Sequence, residues 1–196
     1  MRNFLIKLLV ALSVVGMTFA EEKKEENLQS IVLGGGCFWC VEAVYVQLDG
    51  VKTAESGYMG GLVEDPTYEQ VCSGTSGHIE VVKVTYDANT ISLSEILEWF
   101  WKAHDPTTKD RQGNDKGPQY ASVIFYETAA EKEVVEVSKK SAQGDFDEPI
   151  VTYVRPAEVF YPAEDYHQNY YNLNKDKDTY CKYVITPKME KLKLDK

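Results

Sequence analysis

The sequence predicts an α+β domain with a ferredoxin-like βαββαβ core: a two-layer sandwich, with helices packed on one mixed sheet, plus C-terminal additions. Three observations carry this prediction. Short apolar stretches alternate with polar residues at the two-residue period of a strand over 51–58 and 78–86. Two helices announce their starts with capping boxes, and a third opens behind a glycine turn. The leading elements then follow in the order strand, helix, strand, strand, helix, strand, which is the split βαβ arrangement.

The first strand spans about residues 29–33, where Ile31, Val32 and Leu33 form an apolar run before three glycines. A helix begins near Cys37, carries Val41, Val44 and Leu48 at helical spacing, and stops at Asp49-Gly50. The strand over 51–58 closes at Gly60-Gly61, and a polar loop runs on to Gly77. In the strand over 78–86, Ile79 and Val81 point one way while Glu80, Val82, Val84 and Tyr86 point the other, so a carboxyl shares a face with apolar residues. Ser92 and Glu95 form a capping box with Ile91 and Ile96 as its hydrophobic staple. The helix they open has an inner stripe of Leu93, Ile96, Leu97, Phe100 and His104, and ends at Asp105-Pro106. A long polar loop over 107–119 precedes a strand over 120–126. Thr128 and Glu131 cap a further helix, with Ala130, Val134 and Val137 expected to face inward. A strand over 150–154, a helix over 163–173 and a lysine-rich tail from about 174 complete the chain.

With 196 residues, 43% hydrophobic and 27% charged, the chain has the composition of one globular domain. Its formal net charge of -10, with no basic stripe, excludes a nucleic-acid-binding protein. Residues 1–20 read as a secretory signal peptide: Arg2 supplies the positive end, Phe4 to Met17 is mostly apolar, and Thr18-Phe19-Ala20 has small residues where cleavage requires them. The expected organisation is a leader over 1–20, a charged spacer over 21–28 and one catalytic domain over 29–196. Cleavage after Ala20 removes Arg2 and Lys7, leaving 19 basic against 31 acidic residues and a net charge of -12. The expected location is outside the cytoplasm, in a bacterial periplasm, with no membrane attachment once the leader is gone.

The four cysteines are too few to staple a domain of this size, and Cys72, Cys181 and the three histidines lack the paired spacing of a zinc site, so no metal is expected. The segment Gly36-Cys37-Phe38-Trp39-Cys40 is different. It places a thiol at the first turn of a helix, where free N–H groups and the helix dipole favour thiolate. Two large aromatic side chains follow it directly, and in that position they suit a pocket for a soft, uncharged group. Cys37 is therefore the candidate nucleophile.

At Gly35-Gly-Cys-Phe-Trp-Cys40 the chain resembles peptide methionine sulfoxide reductase of the A class. Matching stretches follow in family order at Gly57-Tyr-Met-Gly-Gly61, Pro66-Thr-Tyr68, Gly77-His-Ile-Glu-Val81, His104-Asp-Pro106, Arg111-Gln-Gly-Asn-Asp115, Gln119-Tyr120 and Glu164-Asp-Tyr-His-Gln168. The resemblance implies that Cys37 attacks the sulfur of methionine sulfoxide, free or in a protein, with preference for the S epimer. It implies that Phe38 and Trp39 wall the site of the methyl group, and that Glu80 protonates the sulfoxide oxygen. Tyr68 and Tyr120 resemble the family's hydroxyl donors to that oxygen, and Asp115 its second carboxylate. Cys37 then becomes a sulfenic acid, a second thiol closes a disulfide, and an external dithiol such as a thioredoxin-like protein reopens it, with no cofactor required. The family's glycine-rich tail with two cysteines is absent here. Only Cys181 stands in that region, while Cys40 occupies a position where many relatives carry glycine. Both are candidate resolving thiols; Cys181 is favoured, because a mobile tail reaches Cys37 without distorting the helix. Cys72, His78, His104 and His167 are expected to be bystander or structural residues, and the protein a monomer repairing oxidised exported proteins.

Two other functions fit parts of the chain. A general thiol–disulfide oxidoreductase would use Cys37 and Cys40 directly, but the order of elements is not that of a thioredoxin fold. A secreted acidic binding domain would keep its cysteines paired and inert.

Overall fold

The computed structural model describes residues 25–194, so the signal peptide read at 1–20 and the first part of the spacer lie outside it. Strand β1 (Leu28–Gly35) leads into helix α1 (Phe38–Tyr45), followed by β2 (Val51–Met59), the short helix α2 (Tyr68–Cys72), β3 (Ile79–Asp87) and α3 (Leu93–Ala103). A small hairpin, β4 (Arg111–Gln112) and β5 (Asp115–Lys116), precedes β6 (Ser122–Tyr126) and α4 (Ala129–Ala142). The chain ends with β7 (Tyr153–Pro156), β8 (Tyr161–Pro162), α5 (Tyr170–Asn174), a π-helical turn over Cys181–Ile185 and α6 (Thr186–Leu192).

The main sheet has the order β7-β6-β1-β3-β2-β8. Its four central strands are antiparallel neighbours, with Leu33 opposite Val82 and Tyr58 opposite Glu80. This is the βαββαβ arrangement the sequence predicts. Parallel pairing of β7 with β6 makes the sheet mixed. The alternation in β3 sorts the two faces. Val82, Val84 and Tyr86 join Ile31, Leu33, Tyr58 and Ile124 beneath the helices. Ile79 and Val81 join Val32, Met59, Val123 and Phe125 on the opposite face, covered by Ala157 and Phe160.

Helix α3 starts as its sequence dictates. Ser92 Oγ accepts from the Glu95 N–H, the Glu95 carboxylate accepts from the Ser92 N–H, and Ile91 and Ile96 are buried beside the cap. Thr128 and Glu131 cap α4 in the same way.

Four expectations are corrected. In α4 the inward residues are Val135 and Ala142, whereas Ala130 is exposed and Val137 is 64% exposed. The stripe is rotated because α4 packs against α3 through Ser138, whose hydroxyl accepts from Trp101 Nε1 at 2.8 Å. The loop before Gly77 contains α2, which has its own capping box, Thr67 with Gln70. Residues 163–173 form a 3-10 turn at Asp165–His167 and the short α5, with Asn169 in the left-handed region between them. The tail is not free: Cys181, Ile185 and Met189 are each at most 1% exposed and pack into the core. No helix among the described residues is long and apolar enough to cross a membrane.

Shortening Val135 to alanine is expected to cost about 2 kcal/mol through a lost methyl pair and the cavity it leaves. Shortening Val137 should change stability by less than about 0.5 kcal/mol. Urea denaturation of the two variants tests which face of α4 is buried.

Candidate active site

The carboxyl end of β1 and the first turn of α1 build the centre of the site. Gly36 has φ +91, and a Cβ there would lie 2.5 Å from Gln112 Cβ, so only glycine makes this turn. The Gly35 backbone packs on the ring of His104. His104 is held between the Phe100 carbonyl (Nδ1, 2.8 Å) and Ser122 Oγ (Nε2, 2.7 Å), and Ser122 Oγ lies 2.8 Å from Thr152 Oγ1. Burial drives the His104 pKa down to about 4. It is therefore a neutral prop beneath the nucleophile turn. Cys37 occupies the N-cap of α1 and is 8% exposed.

Glu80 projects from the start of β3 toward the same helix end and is 1% exposed. Its Oε2 accepts from the Phe38 N–H at 3.0 Å. Burial nevertheless outweighs that bond, and with the nearby Asp115 and Cys40 it raises the Glu80 pKa to about 8. At neutral pH this carboxyl holds a proton.

The two thiols of the motif are linked. Burial holds the Cys37 pKa well above the usual thiol value, reinforced by its hydrogen bond with Cys40 and by the charges of Cys40 and Glu80. The same hydrogen bond lowers Cys40 to about 6 against burial, aided by Lys188 and by Tyr180. Burial and the charge of its neighbour thus hold the Cys37 pKa up, while the shared hydrogen bond and Lys188 hold that of Cys40 down. Burial therefore opposes the lowering of the Cys37 pKa expected from the helix terminus, where the Trp39 N–H still favours thiolate. The first helical N–H is engaged by Glu80, which leaves less of the terminus to stabilise a thiolate at Cys37.

The other expected residues surround this centre. Tyr68 begins α2, Tyr120 ends a 3-10 turn before β6, and Asp115 begins β5; all three are half-buried. The pKa of each tyrosine is raised, first by burial and then, for Tyr68, by Cys72 and Glu80, and for Tyr120 by Glu80 and Cys72. Both phenols thus stay protonated near Glu80. Asp115 Oδ2 accepts from Tyr180 Oη at 2.6 Å, and the same hydroxyl lies 3.8 Å from Cys40 Sγ. Cys181 is fully buried and its pKa is pushed up to about 11 by burial and Asp178. Cys72 is half-buried beside Tyr68 and Glu80, closer to the centre than its loop position suggested.

Phe38 is buried and Trp39 half-buried in an aromatic cluster. The Phe38 ring stacks on Tyr68 with centroids 6.4 Å apart, and the Trp39 ring lies flat on Tyr170 at 3.7 Å. Trp39 Nε1 donates to His167 Nδ1 at 3.2 Å, which places the imidazole proton on Nε2, 3.8 Å from Glu164 Oε2. Glu164 in turn accepts from Tyr58 Oη (2.9 Å) and from the Tyr68 N–H (3.0 Å). Through His167 and Glu164 the Glu164 to Gln168 stretch thus packs against Phe38, Trp39 and Tyr68.

Four further residues escaped sequence reasoning: Tyr58, Tyr170, Tyr180 and Glu42. Three are tyrosines among 13, with no distinguishing spacing. Glu42 is 2% exposed, and its carboxylate accepts from the Asn169 and Tyr170 N–H groups at 2.8 and 3.1 Å. It thereby ties α1 to the segment that carries Tyr170. An acid within the apolar run after Cys40 was the one signal available for it.

A groove of about 1010 Å³ between α3, α4 and α6, lined by Trp101, Val134, Phe146 and Leu192, includes none of the expected site residues. No group of three or more potential metal ligands occurs among the described residues.

Residues 29–196 match the family model described as peptide methionine sulfoxide reductase. The chain is 52% identical over 164 residues to peptide methionine sulfoxide reductase MsrA of Leptospira borgpetersenii, covering 84% of this chain and 93% of that one. Among solved structures, reduced Mxr1 from Saccharomyces cerevisiae aligns with TM-score 0.74 and 33% identity over 79% of this chain and 89% of that one. Methionine sulfoxide reductase A of Corynebacterium diphtheriae aligns with TM-score 0.68 and 32% identity, covering 77% of each chain. Mxr1 in complex with Trx2 aligns with TM-score 0.54 at 24% identity over 74% of this chain and 88% of that one, a likeness of fold alone. With its fold and motifs in agreement with these relatives, this chain belongs to the class A peptide methionine sulfoxide reductase family and is an oxidoreductase.

Proposed function

We propose that this enzyme reduces methionine sulfoxide through a sulfenic acid on Cys37 and a disulfide between Cys37 and Cys40. The observation that carries the proposal is the neutral, buried Glu80 carboxyl at the same helix end as Cys37, with its pKa raised to about 8. Reduction of a sulfoxide needs an electron pair for sulfur and a proton for oxygen. The Cys37 thiolate attacks the substrate sulfur, and Glu80 protonates the oxygen as the S–O bond breaks. The oxygen ends on Cys37 as a sulfenic acid, methionine departs, and Glu80 is left as a carboxylate. The Tyr68 and Tyr120 hydroxyls donate to the oxygen while it carries charge. Phe38 and Trp39 receive the methyl group, and the rings of Tyr170 and His167 fix the indole plane. The S epimer is the substrate.

Cys40 then attacks Cys37, forming the disulfide and releasing the oxygen as water. The expectation that Cys181 resolves first rested on a free tail. Cys181 is instead fully buried with its pKa raised, whereas Cys40 already interacts with Cys37, so Cys40 is the resolving thiol. A thioredoxin-like dithiol returns two electrons and two protons to the pair. The enzyme acts as a monomer in the periplasm after leader cleavage following Ala20, where its substrates are oxidised exported proteins.

Cys37→Ser is expected to abolish methionine formation from methionine sulfoxide with dithiothreitol as reductant; a serine variant as active as the wild type would refute the scheme. Because Glu80 must be protonated, kcat/KM should fall as pH rises through about 8. Glu80→Gln should lower it by about two orders of magnitude and erase that alkaline limb. Stability should respond with the opposite preference for substitution. The folded state keeps the Glu80 proton up to about 8 while the unfolded state loses it near 4.5, so wild-type stability declines across that window and that of Glu80→Gln does not. Thermal melts from pH 5 to 8.5 measure the difference. Peptide mass mapping after one turnover without reductant should find Cys37 joined to Cys40.

A further inference from the structure

We propose that Gln119 is a positioning residue, whose side-chain amide ties the helix carrying Tyr68 to the turn carrying Tyr120 and so sets the spacing of their hydroxyls. This role rests on the proposed part of both tyrosines as donors to the sulfoxide oxygen, and adds what holds them in register.

Two hydroxyls that serve one oxygen have little freedom. Each must lie about 2.7 Å from it, which limits the two phenol oxygens to a separation of about 5 Å. The elements that carry them cannot keep that spacing alone. Helix α2 has five residues, far short of a length that is stable by itself. Tyr120 ends a 3-10 turn of three residues, Pro118–Tyr120. Helix α2 is instead clamped at both ends by side chains from distant parts of the chain. At its first residue the Glu164 carboxylate accepts from the Tyr68 N–H at 3.0 Å. At its last, Gln119 Nε2 donates to the Cys72 carbonyl at 3.1 Å. That carbonyl lies in the last turn, where a helix leaves its own acceptors unpaired. Tyr68 and Cys72 are four residues apart and share one helix face, so the second clamp holds the turn that bears the phenol. Gln119 immediately precedes Tyr120. One side chain therefore links the two donors.

The surroundings of Gln119 fit a residue kept for that bond. It is 6% exposed, and only its Nε2 can face a carbonyl, which fixes the orientation of the amide. Its Oε1 is buried without a hydrogen-bond partner among the described residues. Gly117 has φ +139, and a Cβ there would lie 2.2 Å from that Oε1, so the amide fills the space a side chain would need. Leaving a buried oxygen unpaired costs stability. An apolar side chain of the same shape would avoid that cost, but it could not hold the Cys72 carbonyl. Beyond burial, Glu80 and Cys72 act on the pKa of both phenols and Tyr120 on that of Tyr68, as expected of hydroxyls bordering one space.

The test is methionine formation in a single turnover without reductant, followed against methionine sulfoxide concentration. Gln119→Met keeps the length of the side chain and loses the donor; Gln119→Asn keeps the amide and falls short. Each should lower the limiting rate about tenfold, less than the ~10²-fold loss of a whole donor. The half-saturating concentration should change by less than about twofold, because the hydroxyls act on charge that develops after binding. Alkylation of Cys37 by iodoacetamide should match the wild type in both. Ser73→Ala removes a neighbouring bond of α2, from an exposed hydroxyl to the Gln70 carbonyl, and should also match it. In a Tyr68→Phe enzyme, adding Gln119→Met should slow the reaction by less than about twofold, since the placement of α2 no longer matters to the oxygen. Thermal melts confirm that each variant is folded. A tenfold effect that persists in the Tyr68→Phe enzyme, or no effect of either Gln119 variant, would overturn the proposal. A Tyr68→Phe enzyme as fast as the wild type would instead overturn the donor role on which it rests.

Discussion

The N–H of Phe38 donates to the carboxyl of Glu80, and the rest of the site depends on that contact. It joins the first turn of α1 to the start of β3 across the end of β1, at a point where both strands have lost contact with water. A carboxyl placed there faces two opposing effects. The helix end favours its charged form, by about a kilocalorie per mole or less. Removal from water favours its neutral form by far more. Burial prevails, and Glu80 remains a proton donor at a pH where an exposed glutamate is ionised. Glu80 takes the Phe38 N–H, and the Trp39 N–H that the helix end still gives to the Cys37 sulfur is outweighed by burial.

The far end of the chain completes the site. The tail folds back so that Tyr180 reaches both Asp115 and Cys40, while Tyr170 lies on Trp39 and His167 accepts its indole proton. Glu42 anchors this returning segment two residues beyond Cys40. Helix α1 therefore carries in sequence the nucleophile, the aromatic wall, the second thiol and the clamp for the tail. Displacing the tail disturbs the pocket wall and the thiol pair together, because one segment supports both.

Much of this was legible in the residues, and the remainder has a physical explanation. The strands were visible because each strand face has one environment: β3 alternates strictly, and its pattern already put Glu80 on the buried face with Val82 and Val84. The helix starts at Ser92 and Thr128 were visible because capping is local chemistry. The inward face of α4 was misread by one residue, since its direction is set by contact with α3 and not by its own weakly apolar stripe. The folded tail escaped notice for a similar reason. Cys181, Ile185 and Met189 are each four residues apart, and the lysines between them obscure a narrow buried line. Tyr180 and Tyr170 could not be chosen from 13 tyrosines, because their roles come from partners more than sixty residues away.

Ownership of protons also sets the order of the chemical steps. A site with Cys37 already ionised beside an ionised Cys40 would hold two like charges in a medium that screens them poorly. With one proton shared between two sulfurs, the pocket carries a single negative charge whichever sulfur bears it. Glu80 keeps its own proton throughout, because a second negative charge nearby raises its pKa further. The acid is therefore loaded whenever the nucleophile forms, and it discharges only to an oxygen that the nucleophile has made basic. Sulfur attack and oxygen protonation are coupled by electrostatics within a few residues of one helix terminus.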